Sequence, residues 1–237
     1  MSMRAVILAG GRGTRLAPYT VAFPKPLMPL GEEPILEIVV KQLKHYGAER
    51  ITMAVGHFAD LIQAYFGDGS KYGIAIDYSR EDRPLGTAGP LRLIDDLEDD
   101  FLVVNGDLLT DLNFRALMHR HVQQGNDATI GVYSKEVRID LGVLTRDPEG
   151  RVTGYDEKPA LHYEISMGVY ALSKSVLSLL PEDYFDFPDL VLELIRRERR
   201  IRGFSFDGSW FDLGREADYG KAVQEFEAER GRFLPGG

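Results

Sequence analysis

The sequence predicts an α/β fold, a three-layer sandwich around a mixed, mainly parallel sheet with an antiparallel extension. Short apolar segments alternate with amphipathic helical segments through the first half of the chain, which is the pattern of parallel βαβ units. A glycine-rich segment follows the first apolar segment. From about residue 134 to residue 172, strand-like segments follow one another with short turns, which favours hairpins over helical crossovers.

Length and composition favour one folded domain over residues 1–237. Hydrophobic residues make up 44% of the chain and charged residues 27%, proportions that are typical of globular proteins. No repeat, low-complexity tract or linker interrupts the sequence. We therefore expect a single domain that includes the antiparallel extension at about 134–172.

The charge balance and the cysteine count exclude several classes of function. A formal net charge of −9 opposes non-specific binding to nucleic acid or to anionic membranes, since both require a positive field. There is no apolar run of membrane-spanning length and no signal-peptide pattern, so we expect a cytoplasmic location. Because the chain has no cysteine, disulfides, thiolate metal sites and a cysteine nucleophile are excluded.

Strands and helices are predicted in alternation through the first half of the chain. A buried strand is expected at 4–8. Pro34 opens an amphipathic helix whose apolar residues recur at helical spacing until Gly47 stops it. Further strands are predicted at 51–55, 74–78 and 101–104, and further helices at 60–66 and 88–97.

The second half changes in character after one more helix and strand, at 113–124 and 128–133. Strand-like segments separated by turns such as Asp147-Pro148-Glu149-Gly150 then predict the antiparallel extension. These strands are expected at 142–145, 152–156 and 164–171. Helices at 174–180 and 189–198, strands at 201–206 and 210–213, and a helix at 215–230 are predicted to complete the fold.

The glycine-rich segment after the first strand has the composition of an anion-binding loop. Gly10, Gly11 and Gly13 allow positive φ angles and close backbone approach, so that successive N–H groups can converge on phosphate oxygens. Arg12, Arg15 and Lys25 would add positive charge. An isolated Gly-Gly pair is more often a simple turn, and this pattern is neither a P-loop nor a dinucleotide fingerprint.

Two aspartates are candidates for chemistry at the ends of strands. Asp107 follows the strand at 101–104 within Asn105-Gly106-Asp107, and ligands in parallel α/β sheets bind at the carboxyl ends of strands. Asp212 lies in Trp210-Phe211-Asp212-Leu213-Gly214. Either residue could instead cap a following helix.

The motifs together resemble the sugar-1-phosphate nucleotidyltransferase family. The glycines with Thr14, Arg15 and Leu16, followed by Pro24-Lys25-Pro26, are similar to the opening of that family. Four further elements match in order along the chain: Leu85-Gly86-Thr87-Ala88-Gly89-Pro90, Asn105-Gly106-Asp107, Glu157-Lys158-Pro159 and Trp210-Phe211-Asp212-Leu213-Gly214. The resemblance implies a Rossmann-like fold and a Mg²⁺-dependent reaction in which a nucleoside triphosphate and a sugar-1-phosphate give a nucleotide-sugar and pyrophosphate.

The same resemblance implies a role for each matching residue. Arg15 would meet the leaving pyrophosphate and Lys25 the reacting phosphates, as the catalytic residues. Asp107 and Asp212 would hold Mg²⁺. The nucleotide would be bound by Leu8, Gly10, Gly11, Gly13, Thr14, Gly86 and Thr87. The sugar phosphate would be bound by Gly142, Glu157, Lys158 and Ser166.

At two positions the sequence departs from the family, and these departures leave the identity of the sugar undetermined. Leu141 stands where many members have tyrosine, and Ser166 stands where many have asparagine in Asn-x-Gly; both changes alter hydrogen bonding. The sequence Leu85-Gly86-Thr87-Ala88-Gly89-Pro90 favours GTP and mannose-1-phosphate. Thymidylyl or uridylyl transfer to glucose-type, muramic or heptose phosphates is the alternative, and the chain is expected to be monofunctional.

A non-catalytic nucleotide-sugar sensor is the alternative from another class. A sensor would not need both metal ligands, so the retention of Asp107 and Asp212 beside Arg15 and Lys25 argues for an enzyme. The partners are then small molecules, a nucleoside triphosphate and a sugar-1-phosphate, with neither nucleic acid nor membrane. The oligomeric state, a homo-oligomer included, is left open.

Overall fold

The computed structural model describes residues 3–11, 13, 20, 22–214 and 216–234. In these ranges the strands are β1 (Met3–Leu8), β2 (Pro29–Leu30), β3 (Glu33–Pro34), β4 (Ala48–Val55), β5 (Ala75–Arg80), β6 (Asp100–Asn105), β7 (Leu108–Thr110), β8 (Ala128–Arg138), β9 (Val143–Arg146), β10 (Val152–Asp156), β11 (Ala160–Ser173), β12 (Ile201–Phe206) and β13 (Trp210–Asp212). The α-helices are α1 (Ile35–His45), α2 (Ala59–Phe66), α3 (Phe114–Gln124), α4 (Phe187–Arg196), α5 (Glu216–Ala228) and α6 (Arg230–Phe233). Short 3-10 helices cover Lys25–Leu27, Ser70–Tyr72, Gly89–Leu93 and Lys174–Leu179.

The described residues form a seven-stranded central sheet in the order β12-β8-β11-β6-β1-β4-β5. β6, β1, β4 and β5 pair in parallel, and so do β12 and β8. β11 lies between these two groups and is antiparallel to both of its neighbours. The predicted mixed, mainly parallel sheet is confirmed.

Helices cover both faces of the sheet, as expected for three layers. Ile7 faces a cluster that includes apolar side chains of α1, α2 and α3, whereas its neighbour Val6 faces a cluster that includes Leu190 and Leu194 of α4. Successive residues of a strand point to opposite faces, which explains how one strand contributes to both cores. Every helix in the described ranges is too short or too polar to cross a membrane.

A third apolar cluster joins the C-terminal helices to the loop that follows β1. Phe226 of α5 and Phe233 of α6 pack with Leu30 of β2, Ile35 of α1 and Leu213. Leu213 directly follows β13. This cluster therefore fixes the position of β13 and of Asp212 at its end.

Two predicted helices are 3-10 helices in the structure, and the first covers only part of its predicted range. In place of a helix at 88–97 the chain has the 3-10 helix Gly89–Leu93, preceded by Gly86 with a φ of +85°. The amides of Ala88 and Gly89 both donate to the carbonyl of Phe185 at 3.0 Å, so the chain is held by a tertiary contact that apolar periodicity does not reveal. The segment predicted as a helix at 174–180 is likewise a 3-10 helix.

The antiparallel extension is confirmed, although β8 and β11 are longer than predicted. β8 and β11 continue together beyond the central sheet, from the Val132–Ser166 pair to the Arg138–Ala160 pair. Between them in sequence, β9 and β10 form an antiparallel hairpin. The side chains of Leu141, Leu144, Val152 and Tyr155 in this region are exposed.

Candidate active site

A cavity of about 730 Å³ lies at the carboxyl ends of β1, β4, β5 and β6. Ligands bind at this edge in parallel α/β sheets. Of the predicted site residues, the structure brings Leu8, Gly10, Gly11, Gly13, Lys25, Gly86, Thr87 and Asp107 to the cavity wall. The wall therefore combines segments that are far apart in sequence.

The glycine-rich loop after β1 forms one side of the cavity. Gly13 has a φ of +62°, and its carbonyl accepts a hydrogen bond from the Thr20 hydroxyl at 2.7 Å. In the described ranges, no residue accepts a hydrogen bond from the amides of Gly10, Gly11 or Gly13. These amides are available to phosphate oxygens. The predicted roles of Arg12, Thr14 and Arg15 fall on residues outside the described ranges.

Lys25 and Asp107 form an ion pair in the cavity. Lys25 begins a 3-10 helix after Pro24, and its ammonium group donates to Asp107 Oδ2. The Lys25 side chain is 7% exposed and the Asp107 side chain 27% exposed. A buried ammonium needs a compensating charge, and Asp107 supplies it. Lys25 and Asp107 thus bring one cationic and one anionic group to the cavity wall.

Asp212 approaches Asp107 through backbone pairing. β13 is antiparallel to β7 with Asp212 opposite Leu108, and the Leu213 amide donates to the Asp107 carbonyl at 3.1 Å. Asp212 Oδ1 accepts from the Gly214 amide at 3.0 Å, and Gly214 lines the cavity. Asp212, the last residue of β13, thus lies beside the start of β7, which Asp107 directly precedes.

The two aspartates fit the ligand chemistry of magnesium. In the described ranges, no residue donates a hydrogen bond to Asp107 Oδ1 or to Asp212 Oδ2, so each carboxylate keeps a free oxygen. Magnesium is usually held by one or two carboxylates, with phosphate and water as further ligands. Among the described residues, no group of three or more His, Cys, Asp or Glu side chains could hold a metal alone.

The Leu85–Gly89 segment forms the opposite wall and is held by the residues before α4. Gly86 has a φ of +85°, and a Cβ there would lie 2.5 Å from the Phe185 carbonyl oxygen. Asp186 Oδ1 accepts hydrogen bonds from both the amide and the hydroxyl of Thr87, at 2.8 and 2.9 Å. The Thr87 hydroxyl in turn accepts from the Phe187 amide at 2.9 Å.

The charge state of Asp186 follows from the same contacts. Burial acts to raise the pKa of this carboxyl group, but hydrogen bonds from Tyr184 and from the amide and hydroxyl of Thr87 outweigh burial and lower the pKa below 3.8. The Tyr184 hydroxyl donates to Asp186 Oδ2 at 2.8 Å. Asp186 is therefore ionised at neutral pH and holds the Thr87 side of the cavity.

The residues predicted to bind the sugar phosphate lie in the extension. Gly142, Glu157, Lys158 and Ser166 do not line the cavity described above. Gly142 packs against the Tyr155 ring, and the Tyr155 hydroxyl donates to Glu157 Oε2 at 2.7 Å. Lys158 has a φ of +49° at the turn before β11. Their role in sugar binding stays a prediction.

A bulge in β11 connects the extension to the cavity. The register between β11 and β8 shifts between Ser166 and Tyr170. Gly168 has a φ of +73° within the bulge, and a Cβ there would collide with the side chain of Asn105, which lines the cavity. The indole N–H of Trp210 donates to the Met167 carbonyl at 2.9 Å. The bulge therefore contacts the two strands that lead to Asp107 and Asp212.

Several cavity residues were missed by sequence reasoning, namely His57, Arg80, Glu81, Arg83, Tyr184 and Asp186. Glu81 directly follows β5, so the rule that drew attention to Asp107 could also have found Glu81. Tyr184 and Asp186 belong to a segment that contacts residues 85–89 across the cavity wall. The sequence carries no local signal for that contact.

Comparison with known proteins gives consistent results. Residues 4–229 match the model of the family described as "Nucleotidyl transferase". The UTP–glucose-1-phosphate uridylyltransferase of Synechocystis sp. is 32% identical over 94% of this chain. The probable mannose-1-phosphate guanylyltransferase 1 of Oryza sativa subsp. japonica is 33% identical over 92% of it. The chain spans 63% of the length of each of these relatives.

A solved structure is also similar to this chain. The structure of HddC from Yersinia pseudotuberculosis complexed with GMP-PN superposes with a TM-score of 0.73 and 27% sequence identity. The match covers 94% of this chain and 99% of the HddC chain. The likeness therefore extends through both the central sheet and most of the remaining elements.

Proposed function

Since this chain belongs to the nucleotidyl transferase family, we propose that it transfers a nucleotidyl group from a nucleoside triphosphate to a sugar-1-phosphate. The observation that carries the proposal is the meeting of three features at one sheet edge: a glycine loop whose Gly10, Gly11 and Gly13 amides have no acceptor among the described residues, a partly buried Lys25–Asp107 pair, and the end of β13. Named relatives with sugar-1-phosphate nucleotidyltransferase activities support it.

The proposed reaction needs no general base. A phosphate oxygen of the sugar-1-phosphate is already anionic and attacks the α-phosphorus of the triphosphate. A new bond forms between that oxygen and phosphorus, while the bond from the α-phosphorus to the bridging oxygen breaks. Pyrophosphate leaves with the electron pair. The protein's task is to hold two polyanions together and to neutralise the charge of the transition state.

The residues of the cavity suit that task. The backbone amides of Gly10, Gly11 and Gly13 would bind the triphosphate, and Lys25 would contact the reacting phosphates. Arg15 would bind the leaving pyrophosphate, by family resemblance. Asp107 and Asp212 would hold Mg²⁺, and that ion would supply positive charge to the phosphates.

For the substrates, our first proposal is GTP and mannose-1-phosphate. The relatives named as mannose-1-phosphate guanylyltransferases support this pair, and the uridylyltransferase supports UTP with glucose-1-phosphate as the alternative. Gly142, Glu157, Lys158 and Ser166 are proposed to bind the sugar phosphate. We also propose a cytoplasmic location.

Pyrophosphate release is the direct test. The protein is incubated with Mg²⁺, each nucleoside triphosphate in turn and a panel of sugar-1-phosphates. We expect release that requires both substrates and is fastest with GTP and mannose-1-phosphate. Nucleotide-sugar binding without release for any pair would instead support a non-catalytic sensor and refute the enzyme.

A further inference from the structure

Lys25 connects the glycine loop to Asp107, one of the two proposed metal ligands. A Cβ at Gly13 would lie 3.0 Å from the Lys25 Cβ, so the lysine leaves the backbone beside the loop. Its ammonium group donates to Asp107 Oδ2, and among the described residues it has no other hydrogen-bond or ion-pair partner. The lysine is therefore placed to bind either Asp107 or an anion held by the loop.

The ammonium group of Lys25 can leave Asp107 only for another anion. The Lys25 side chain is 7% exposed, and a buried ammonium without a negative partner is strongly disfavoured. Pro24 and Pro26 flank the lysine, and the Met28 amide donates to the Lys25 carbonyl at 3.0 Å. The backbone is held by these features, so a change of partner requires rotation of the side chain. Phosphates bound by the glycine loop would supply the new anion.

A metal ion would compete with Lys25 for the Asp107 carboxylate. Mg²⁺ takes oxygen ligands, usually one or two carboxylates together with phosphate and water. Asp107 and Asp212 carry one negative charge each, and the Lys25 ammonium already neutralises one of these charges. A divalent cation beside the pair therefore meets a weaker attraction than two unpaired carboxylates would give. A triphosphate adds several negative charges and would attract both cations.

We propose that Lys25 occupies Asp107 in place of the metal when no nucleotide is bound, and releases it when the phosphates of a nucleotide accept the ammonium group. This inference rests on the proposed function, because it takes Asp107 as a metal ligand and the glycine loop as a triphosphate site. Metal ions alone then bind weakly, whereas metal and nucleotide strengthen each other's binding. The exchange keeps the site from holding a divalent cation that has no nucleotide to act on.

Titration with Mn²⁺ alone tests the competition without requiring turnover. Mn²⁺ prefers the same oxygen ligands as Mg²⁺, and the electron paramagnetic resonance signal of the unbound ion decreases as the ion binds. Lys25→Met removes the ammonium group and keeps an unbranched side chain. We expect Lys25→Met to bind Mn²⁺ about 10-fold more tightly than the wild-type protein, a typical coupling between two ligands. Equal or weaker binding of Mn²⁺ by Lys25→Met would overturn the inference.

The effect of the same substitution should change sign when a nucleotide accompanies the metal. Mn²⁺–GTP and Mn²⁺–UTP are titrated calorimetrically into both proteins, without sugar-1-phosphate so that no transfer occurs. Lys25→Met lacks the cation that the phosphates would accept, so we expect it to bind the tighter of the two complexes about 10-fold more weakly than the wild type. A substitution that only loosened the fold would weaken binding in both titrations. Unchanged or tighter binding of the complex by Lys25→Met would contradict the exchange.

Two further comparisons locate the effect at Asp107. Lys221→Met removes the same charge from an exposed position of α5 and should bind Mn²⁺ like the wild type. In an Asp107→Asn background the shared carboxylate is gone, so Lys25→Met should give no gain in Mn²⁺ affinity. A gain that persists in this background would show that Lys25 acts as a distant charge, against the inference.

The wild-type protein decides the question if Lys25→Met does not fold. Acetic anhydride labels accessible lysines, and mass spectrometry compares the labelling of Lys25 with that of Lys221, an exposed lysine. Saturating Mg²⁺ would take Asp107 from Lys25, so we expect the labelling of Lys25 relative to Lys221 to rise. The same ratio with and without Mg²⁺ would count against the exchange.

Failure of this inference differs from failure of the proposed function. Pyrophosphate release together with an unchanged Mn²⁺ affinity in Lys25→Met would refute the exchange at Asp107 and leave the transferase intact. Absence of release with every substrate pair would refute the transferase, whereas the Mn²⁺ titrations would still measure the competition between Lys25 and the metal.

Discussion

Asp186 binds Thr87 twice, because one carboxylate oxygen accepts both the amide and the hydroxyl of a residue 99 positions earlier in the chain. Thr87 follows Gly86 in the wall of the cavity. The contact therefore joins the start of α4 to the segment expected to face the nucleotide.

Removal of this contact should weaken nucleotide binding more than catalysis. In Asp186→Ala the Thr87 amide and hydroxyl lose their acceptor, and the 85–89 segment loses its anchor. We expect the KM for the triphosphate to rise about tenfold, as for the loss of hydrogen bonds to a charged group, with a smaller change in kcat. Steady-state kinetics measures both; a change in kcat alone would contradict this role. Glu227→Ala, which removes a carboxylate from an exposed position of α5, is the control.

Gly86 should not tolerate a side chain. Gly86→Ala combines a φ of +85° with a Cβ 2.5 Å from the Phe185 carbonyl oxygen. Gly150 has a φ of +86° with open space around it, so Gly150→Ala isolates the backbone cost of about 1–2 kcal/mol. We expect Gly86→Ala to lower the free energy of unfolding by a further ~1–3 kcal/mol, the usual cost of overpacking. Urea unfolding measures the free energy of unfolding of both variants. Equal decreases in Gly86→Ala and Gly150→Ala would contradict the prediction, because they would show that the contact with Phe185 adds no cost.

Asp107 should be essential for turnover but not for folding. Asp107→Asn keeps the shape of the side chain and removes the charge that faces Lys25 and the proposed metal. We expect kcat to fall about 100-fold or more with the circular dichroism spectrum unchanged. Pyrophosphate release at saturating substrates is the measurement, and wild-type activity in Asp107→Asn would refute the metal role.

His121 should make the fold sensitive to mild acid. It is buried, its ring nitrogens contact Thr129 and Asp100, and burial lowers its pKa below 6.5 more than Asp100 and Asp127 raise it. Below pH 6.5 the unfolded chain then binds more protons than the folded chain, so stability falls as pH falls. Urea unfolding between pH 7.5 and 5.5 should show this loss. The His162→Gln variant, changed at an exposed position, should lose as much stability between pH 7.5 and 5.5 as the wild type. The His121→Gln variant should lose less.

The parts of the fold predicted from sequence are those with local signals. The pattern of apolar segments located the strands of the central sheet, and glycine composition located the loop after β1. The segment expected to be a helix at 88–97 contains only the 3-10 helix Gly89–Leu93, and the contact of Ala88 and Gly89 with the Phe185 carbonyl has no local signal in the sequence. The order of strands across the sheet, with β11 between β8 and β6, also has no local signal.

The residues of the candidate site likewise fall into two groups, those that the sequence predicted and those that it did not. Lys25, Asp107 and Gly86 belong to motifs that are continuous in sequence, and the structure brings them to one cavity. Glu81 and Asp186 were missed because a single carboxylate carries no motif. Their importance depends on the neighbours that folding brings to them, Leu85 and Thr87.

The position of β11 also has a consequence for synthesis on the ribosome. β6, β1, β4 and β5 all precede residue 106, so this half of the sheet can assemble while later residues are still being added. β8 is complete by residue 138, but its link to that half is β11, which ends at Ser173. We therefore expect a nascent chain whose first 140 residues have left the ribosome to hold an ordered four-stranded half and an unpaired β8. Contact with a chaperone would be most useful at that stage, because the apolar residues of β8 then have no partner strand.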